Sequence, residues 1–297
     1  MVTRMFFRRR RSTQSEPVFV GGTGRSGTTV IARLIGKHSR YHLIPIEARF
    51  HCEAGGLPSV IAGKMSIEDF RDRLVGHYFE RTASNGGSRG LHLADVHRED
   101  MERAVDRFVK KFGSGSSAAA RDLMSTIFDP VAERAGATAW VEMTPPNVEQ
   151  QALLESMFPS SKTIHIVRDG RDVAVSVASK PWGPNDPFKA LQWWGERLRA
   201  AELNAPSDGY TLLVGFEALI ANDRERQFDR VCEFLDITPE DTMREFFAES
   251  MTPTRAKVGR WRADIPEAEH EQFEETYRAV VDKLHADGVT SAAVLST

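Results

Sequence analysis

The chain has 297 residues, of which 41% are hydrophobic, so it can bury a large core and sits near the upper limit for a single one. A net charge of −3 and a pI near 6.3 exclude a global pull towards nucleic acid, and no run approaches the about 18 apolar residues a membrane span needs. Cys52 and Cys232 lie far apart without C-x-x-C spacing, which excludes a disulfide framework and a structural zinc site.

Residues 1–17 read as a basic, solvated tail around the run Arg8 to Arg11. Met5 to Phe7 is too short for a secretory h-region, so a cytoplasmic location is expected. One domain is expected over 18–297.

Val18 to Val20 form a short β-rich run that ends in Gly21-Gly-Thr-Gly-Arg-Ser-Gly-Thr-Thr29. Val30, Ile31, Leu34 and Ile35 then recur at helical spacing, giving strand, tight loop and helix. Such a loop leaves backbone N–H groups unpaired at the positive end of a helix, which suits a phosphate. Gly22, Gly27 and Thr29 fit the frame G-x-x-x-x-G-K-[ST], but Thr28 stands where the lysine belongs, and Arg25 is the cation inside the loop. Without the lysine that reaches the β- and γ-phosphates, an ordinary nucleotide triphosphatase is disfavoured.

Tyr41 to Cys52 reads as a short strand and loop, from which Glu47 and Arg49 should emerge at the carboxyl end of the sheet, facing the same cleft as Arg25. From about 55 to 139 the chain reads as a helical insertion. Ser66 with Asp69 caps one helix, another covers Arg98 to Phe112, and the polar pieces Thr82 to Gly90 and Gly113 to Ala120 read as flexible. Strands at 139–142, 163–167 and 210–214 alternate thereafter with helices at 148–157, 168–179, 188–204, 224–235, 241–250 and 268–286. The alternation predicts an α/β fold, a three-layer α/β/α sandwich on a mainly parallel sheet.

Gly21 to Thr29 resembles the 5′-phosphosulfate loop of sulfotransferases that use 3′-phosphoadenosine 5′-phosphosulfate (PAPS), and Arg168-Asp-Gly-Arg-Asp-Val-Ala-Val-Ser176 resembles their 3′-phosphate element. The similarity extends to Gly215-Phe-Glu-Ala-Leu219 and Arg255-Ala-Lys-Val-Gly-Arg-Trp-Arg262, and is greatest to the tyrosylprotein and bacterial branches. The resemblance implies a P-loop-like enzyme that moves a sulfuryl group from PAPS to a hydroxyl of a sugar, lipid, phenol or other small molecule, releasing 3′-phosphoadenosine 5′-phosphate (PAP) without a metal.

It also implies roles. Gly24, Arg25, Ser26, Gly27, Thr28 and Thr29 would hold the 5′ side, with Arg25 also meeting charge on the leaving group. Arg168 and Ser176 would hold the 3′-phosphate, Phe216 would pack near the cofactor, and Lys257, Gly259, Arg260 and Trp261 would close over it, with Trp261 on the adenosine side. Glu47 would be the general base, Arg49 would orient it or bind acceptor, and His51 is the runner-up base. Trp182, Trp193, Trp194 and Phe50 are candidates to line the acceptor cleft, and Arg171 with Asp172 is expected to form a solvated or structural pair.

Two positions depart from the family pattern. Met143 replaces a lysine in Glu142-Met-Thr-Pro145, which calls for another cation such as Arg49 or Lys180, and Phe216 replaces a tyrosine. A P-loop phosphotransferase and a nucleotide-binding protein with weakened catalysis are the alternatives.

Overall fold

The computed structural model describes residues 16–82, 89–205 and 210–295. The arginine run 8–11 and most of the piece 82–90 lie outside the described residues. The Val18–Gly22 strand (β1) leads through the glycine loop into the Thr28–Ile35 helix (α1), and the chain returns through the Tyr41–Leu43 strand (β2). The Ala139–Glu142 (β3), Lys162–Val167 (β4) and Thr211–Gly215 (β5) strands complete one sheet in the order β2-β3-β1-β4-β5. Every pairing is parallel, with Val18 opposite Val141, Val20 opposite Ile164 and Ile166 opposite Val214. The expected α/β sandwich is the observed one.

β1 is central and buried along its whole length, as a parallel strand covered on both faces must be. Its side chains divide by pleat. Val18 and Val20 join Ile31 and Leu34 of α1 on one face, together with Phe228 of the Arg224–Leu235 helix and Phe247 of the Asp241–Ser250 helix. Phe19 points to the other face, edge-on to Trp140, with ring centroids 5.6 Å apart.

That second face is where the insertion sits. It comprises the Leu57–Ile61 (α2), Ile67–Arg73 (α3), Arg98–Lys111 (α4) and Ser116–Arg134 (α5) helices. Ser66 Oγ accepts from Asp69 N–H at 3.0 Å, the cap its sequence announces. Phe70, Phe108 and Phe128 are fully buried in the same cluster as Phe19 and Trp140, so the insertion shares its core with the sheet. The expected flexible piece 113–120 is corrected: α5 begins at Ser116, and Ala119 and Ala120 are buried.

Beyond β3 come the Gln151–Met157 helix (α6), the Gly170–Ala178 helix (α7) and the Pro187–Leu203 helix (α8). The two helices already named against β1 are α9 and α10, and the short Pro253–Ala256 (α11) and Trp261–Asp264 (α12) helices precede the His270–Ala286 helix (α13). A third cluster packs α7, α8 and α13 around Trp194, Trp261 and Phe273. β1 stands where the strand order reverses, with β2 and β3 on one side and β4 and β5 on the other, so a cleft opens at its carboxyl end.

Candidate active site

The loop after β1 is held open by its glycines. Gly27 has φ of 105°, and a Cβ there would lie 2.5 Å from the ring of Phe216, so both conformation and space require glycine. Arg25 also has a left-handed backbone, at φ 59°. The amides of Gly24, Arg25, Ser26 and Gly27 donate to no backbone carbonyl among the described residues, α1 has no side-chain cap, and the buried Ser26 Oγ has no partner. Unpaired donors converging on a helix start fit the anionic end of PAPS. Thr28 is buried and Thr29 is exposed at the first turn.

The second expected element meets the first. Arg25 Nε donates to Ser176 Oγ at 3.0 Å, the hydroxyl being carried on the buried face of α7. Arg168, at the carboxyl end of β4, donates from Nη1 to Arg25 O at 3.5 Å and from Nη2 to Asp172 Oδ2 at 3.0 Å. Its guanidinium lies 4.6 Å from the centre of the Phe216 ring, which therefore packs between Arg168 and Gly27. The Arg168 Nε is buried and has no hydrogen-bond partner, a second unpaired donor that fits a phosphate. Glu217 Oε1 is 4.0 Å from that nitrogen and accepts from Asp169 N–H at 3.2 Å. Burial raises the Glu217 pKa to about 7. Burial also lowers that of Arg25, aided by Arg168 and Arg260 and opposed by Glu47, so Glu47 lies within electrostatic reach of Arg25.

Asp172, expected to pair with Arg171, is instead the anchor of the C-terminal segment. Its buried carboxylate accepts from Gly259 N–H at 2.8 Å, from Trp261 N–H at 3.1 Å and from Arg168. Arg171 turns away instead, to Asp169 at 2.7 Å and Glu274 at 3.3 Å. Arg168 Nη2 also donates to Ala256 O at 3.0 Å and Lys257 O at 3.2 Å, so the segment is tied to β4 and α7 from two sides. Trp261 does not stack over the cleft: its ring is buried against His270 and Phe273. Lys257 is exposed on a left-handed backbone, and Arg260 Nε donates to Asp264 at 2.8 Å.

Glu47 and Arg49 come together beside this cleft. Arg49 Nε donates to Glu47 Oε2 at 2.9 Å, and its other nitrogens bond Glu47 and Glu53. Beneath them is a buried group with no functional signal of its own in the sequence. Glu142, at the end of β3, is fully buried and accepts from Ala48 N–H at 3.0 Å, Thr144 N–H at 2.9 Å, Thr144 Oγ1 at 2.5 Å and Asn147 Nδ2 at 2.7 Å. His51 Nε2 stands 3.1 Å from the same carboxylate. Burial favours protonation of Glu142, but His51, Thr144 and Asn147 outweigh it and hold the pKa at about 2. Burial opposes the His51 imidazolium, and Cys52 and Glu142 outweigh it, so its pKa lies well above the ordinary value. The runner-up base is thus a fully buried, ion-paired ring with no opening to an acceptor. Burial pushes the Cys52 thiol up to about 11, so it is no nucleophile.

The remaining candidates separate by exposure. Met143 is buried in the α1-side core, and Lys180 is half-buried without an ion pair among the described residues. Phe50 and Trp194 are core residues, Trp193 is half-buried, and Trp182 alone of the four aromatic candidates is exposed, at 59%, its ring end 3.8 Å from where a Cβ on Gly24 would stand. A cavity of about 570 Å³ opens at the amino ends of the strands, by Pro17, Arg121 and Ser161, and none of the site residues line it. Among the described residues no cluster of His, Cys, Asp or Glu is arranged to hold a metal, and no helix is long and apolar enough to cross a membrane.

The sulfotransferase family profile matches residues 17–241. The sulfotransferase domain of the Synechococcus PCC 7002 olefin synthase superposes with a TM-score of 0.55 at 17% identity, over 90% of this chain and 94% of that one. A sulfotransferase domain from the curacin biosynthetic pathway (TM-score 0.49, 16% identity, 92% and 91% coverage) and a Mycobacterium avium sulfotransferase (0.45, 14%, 91% and 76%) are more distant in shape. The first supports the fold; the other two carry no argument. No curated protein matches the sequence. With the profile spanning most of the chain and the loop, strand order and cleft in place, the chain belongs to the sulfotransferase family and is an enzyme of the PAPS-dependent type.

Proposed function

We propose that the enzyme moves the sulfuryl group of PAPS to a hydroxyl of a small-molecule acceptor, with Glu47 as general base and Arg25 as the residue that meets charge on the departing 5′-phosphate. The observation that carries this reading is the Arg25 to Ser176 hydrogen bond, which joins the 5′-side loop to the 3′-side helix.

PAPS, when bound, supplies an activated sulfur whose bond to the 5′-phosphate oxygen breaks as the acceptor oxygen attacks. Ser26 Oγ and the amides of Gly24 to Gly27 hold the 5′ side, and Arg168 Nε and Ser176 Oγ hold the 3′-phosphate. Phe216 fixes the Arg168 plane, and the Asp172-anchored residues 257–261 close that side. Glu47, oriented by Arg49, takes the acceptor proton, and Arg25 is near enough to respond to its charge. Arg25 and Arg49 are the cations this reading puts in place of the lysine lost at Met143.

Glu47→Gln should lower the chemical step by about 10²–10⁴-fold with little change in PAP affinity. Arg25→Ala should lower turnover and PAP affinity together. Full turnover by Glu47→Gln would remove Glu47 as the base.

A further inference from the structure

The insertion brings one more cation to the base. Arg81, just past the π-helical turn Leu74–Tyr78, reaches back so that Nη2 donates to Glu47 O at 3.1 Å and to Arg89 O at 3.3 Å. It is half-buried, yet among the described residues it forms no ion pair, and its Nε and Nη1 donate to no partner. The stretch 83–88 contains no acidic side chain that could pair with it. Arg49 bonds the neighbouring carboxylates Glu47 and Glu53, and neither side chain bonds Arg81.

The positive charge there is collective. Burial first, then Arg49 and Arg89, lowers the Arg81 pKa against Glu53 and Glu47, so three arginines share one neighbourhood with two carboxylates. The Arg73 guanidinium packs on Gly55, beyond Glu53, and Arg73 and Arg81 both act on His77, whose pKa is lowered by burial and then by those two cations. An arginine that gives up water without a carboxylate partner is costly unless an anion completes it, and its planar fork matches carboxylate, sulfate or phosphate. An anionic acceptor approaching the anionic donor would also need such a cation to offset repulsion.

We propose that Arg81 is an acceptor-binding residue and that the hydroxyl compound sulfated here is a small molecule carrying a carboxylate, phosphate or sulfate group. This rests on the reading of Glu47 as the base at the acceptor side, and the test separates the two.

PAP binding by calorimetry checks the donor site for wild type, Arg81→Gln and Arg81→Lys. All three should bind PAP alike, which also shows that the variants are folded. The PAP-loaded and PAPS-supplied proteins are then given matched hydroxyl pairs, 4-hydroxybenzoate against 4-hydroxybenzamide and a hexuronate against its hexose, together with a hexose phosphate and an acidic peptide. Wild type should favour the small anionic members by about 10–100-fold in binding or kcat/KM, as a charge-assisted pair warrants. Arg81→Gln should lose that preference and Arg81→Lys should keep part of it. Equal use of neutral and anionic members by wild type, a preference that survives in Arg81→Gln, or a preference for the acidic peptide over every small anion would overturn the proposal. Failure of wild type to bind PAP would instead overturn the donor-site reading.

Discussion

Arg25 Nε and Ser176 Oγ are 3.0 Å apart although 151 positions separate them in the chain. Each is expected to touch a different phosphate of one cofactor, so the bond makes the two ends of the donor site a single unit. Ser176→Ala should therefore weaken PAP binding by about tenfold, the scale of one hydrogen bond to a charged group, and Ser176→Thr should retain most of it. Calorimetry with PAP reads both.

Asp172 ties residues 257–261 to Arg168 through a carboxylate that is 1% exposed. Asp172→Ala should loosen that segment and take from Arg168 its nearer carboxylate, costing about 3–5 kcal/mol of stability. Limited trypsin digestion should then cut sooner at Lys257 and Arg260, and PAP affinity should fall. Unchanged cleavage would show that other contacts hold the segment.

The buried Glu142 and His51 pair makes a stability prediction with a sign. The Glu142 pKa falls from 4.5 to about 2 on folding, so its contribution is fully present above about 4.5 and is lost as pH falls towards 2. The His51 pKa rises on folding, so its contribution is fully present below about 6.5 and is lost as pH climbs through the higher folded value. Glu142→Gln should lower stability near neutral pH by about 3–5 kcal/mol and flatten the acid limb of a thermal denaturation series. His51→Asn should likewise lose stability first, with no selective effect on the chemical step.

Much of this was legible in the chain. The strands, the glycine loop and α9 and α10 follow from local period and turn chemistry, which a parallel sheet obeys closely. What escaped was set by distant partners. α5 starts in serines, alanines and glycines and contains Pro130, so its helix rests on burial of Ala119, Leu123 and Phe128 in the insertion core rather than on its own signal. Nothing near Asp172 in the chain points to Gly259 and Trp261, and Arg171 beside it is the partner that sequence distance favours. Glu142 lies in the motif already noted for Met143, yet two of the four residues that contact it, Ala48 and His51, come from a stretch more than 90 positions away. Arg81 left no signal beyond being a cation in the insertion.

Glu217 gives the donor site a pH dependence. Its pKa rises from 4.5 to about 7, so its contribution to stability is fully present below about 4.5 and is lost as pH rises through 7. Once ionised, it competes with phosphate for Arg168 at 4.0 Å. The ratio of wild-type to Glu217→Gln affinity for PAP should therefore fall between about pH 6 and pH 8, and Glu217→Gln should lose the stability slope between about pH 4.5 and pH 7. Using the ratio cancels the titration of PAP itself.

On this reading Arg25, Arg168 and Ser176 make a site for a 3′-phosphorylated adenine nucleotide, which calorimetric comparison of PAP with ADP in the absence of divalent cations tests. PAP should bind at least about tenfold more tightly, because the Arg168 Nε and Ser176 Oγ have no 3′-phosphate to hold in ADP. Equal affinities, or binding of either nucleotide only when Mg²⁺ is added, would contradict the account.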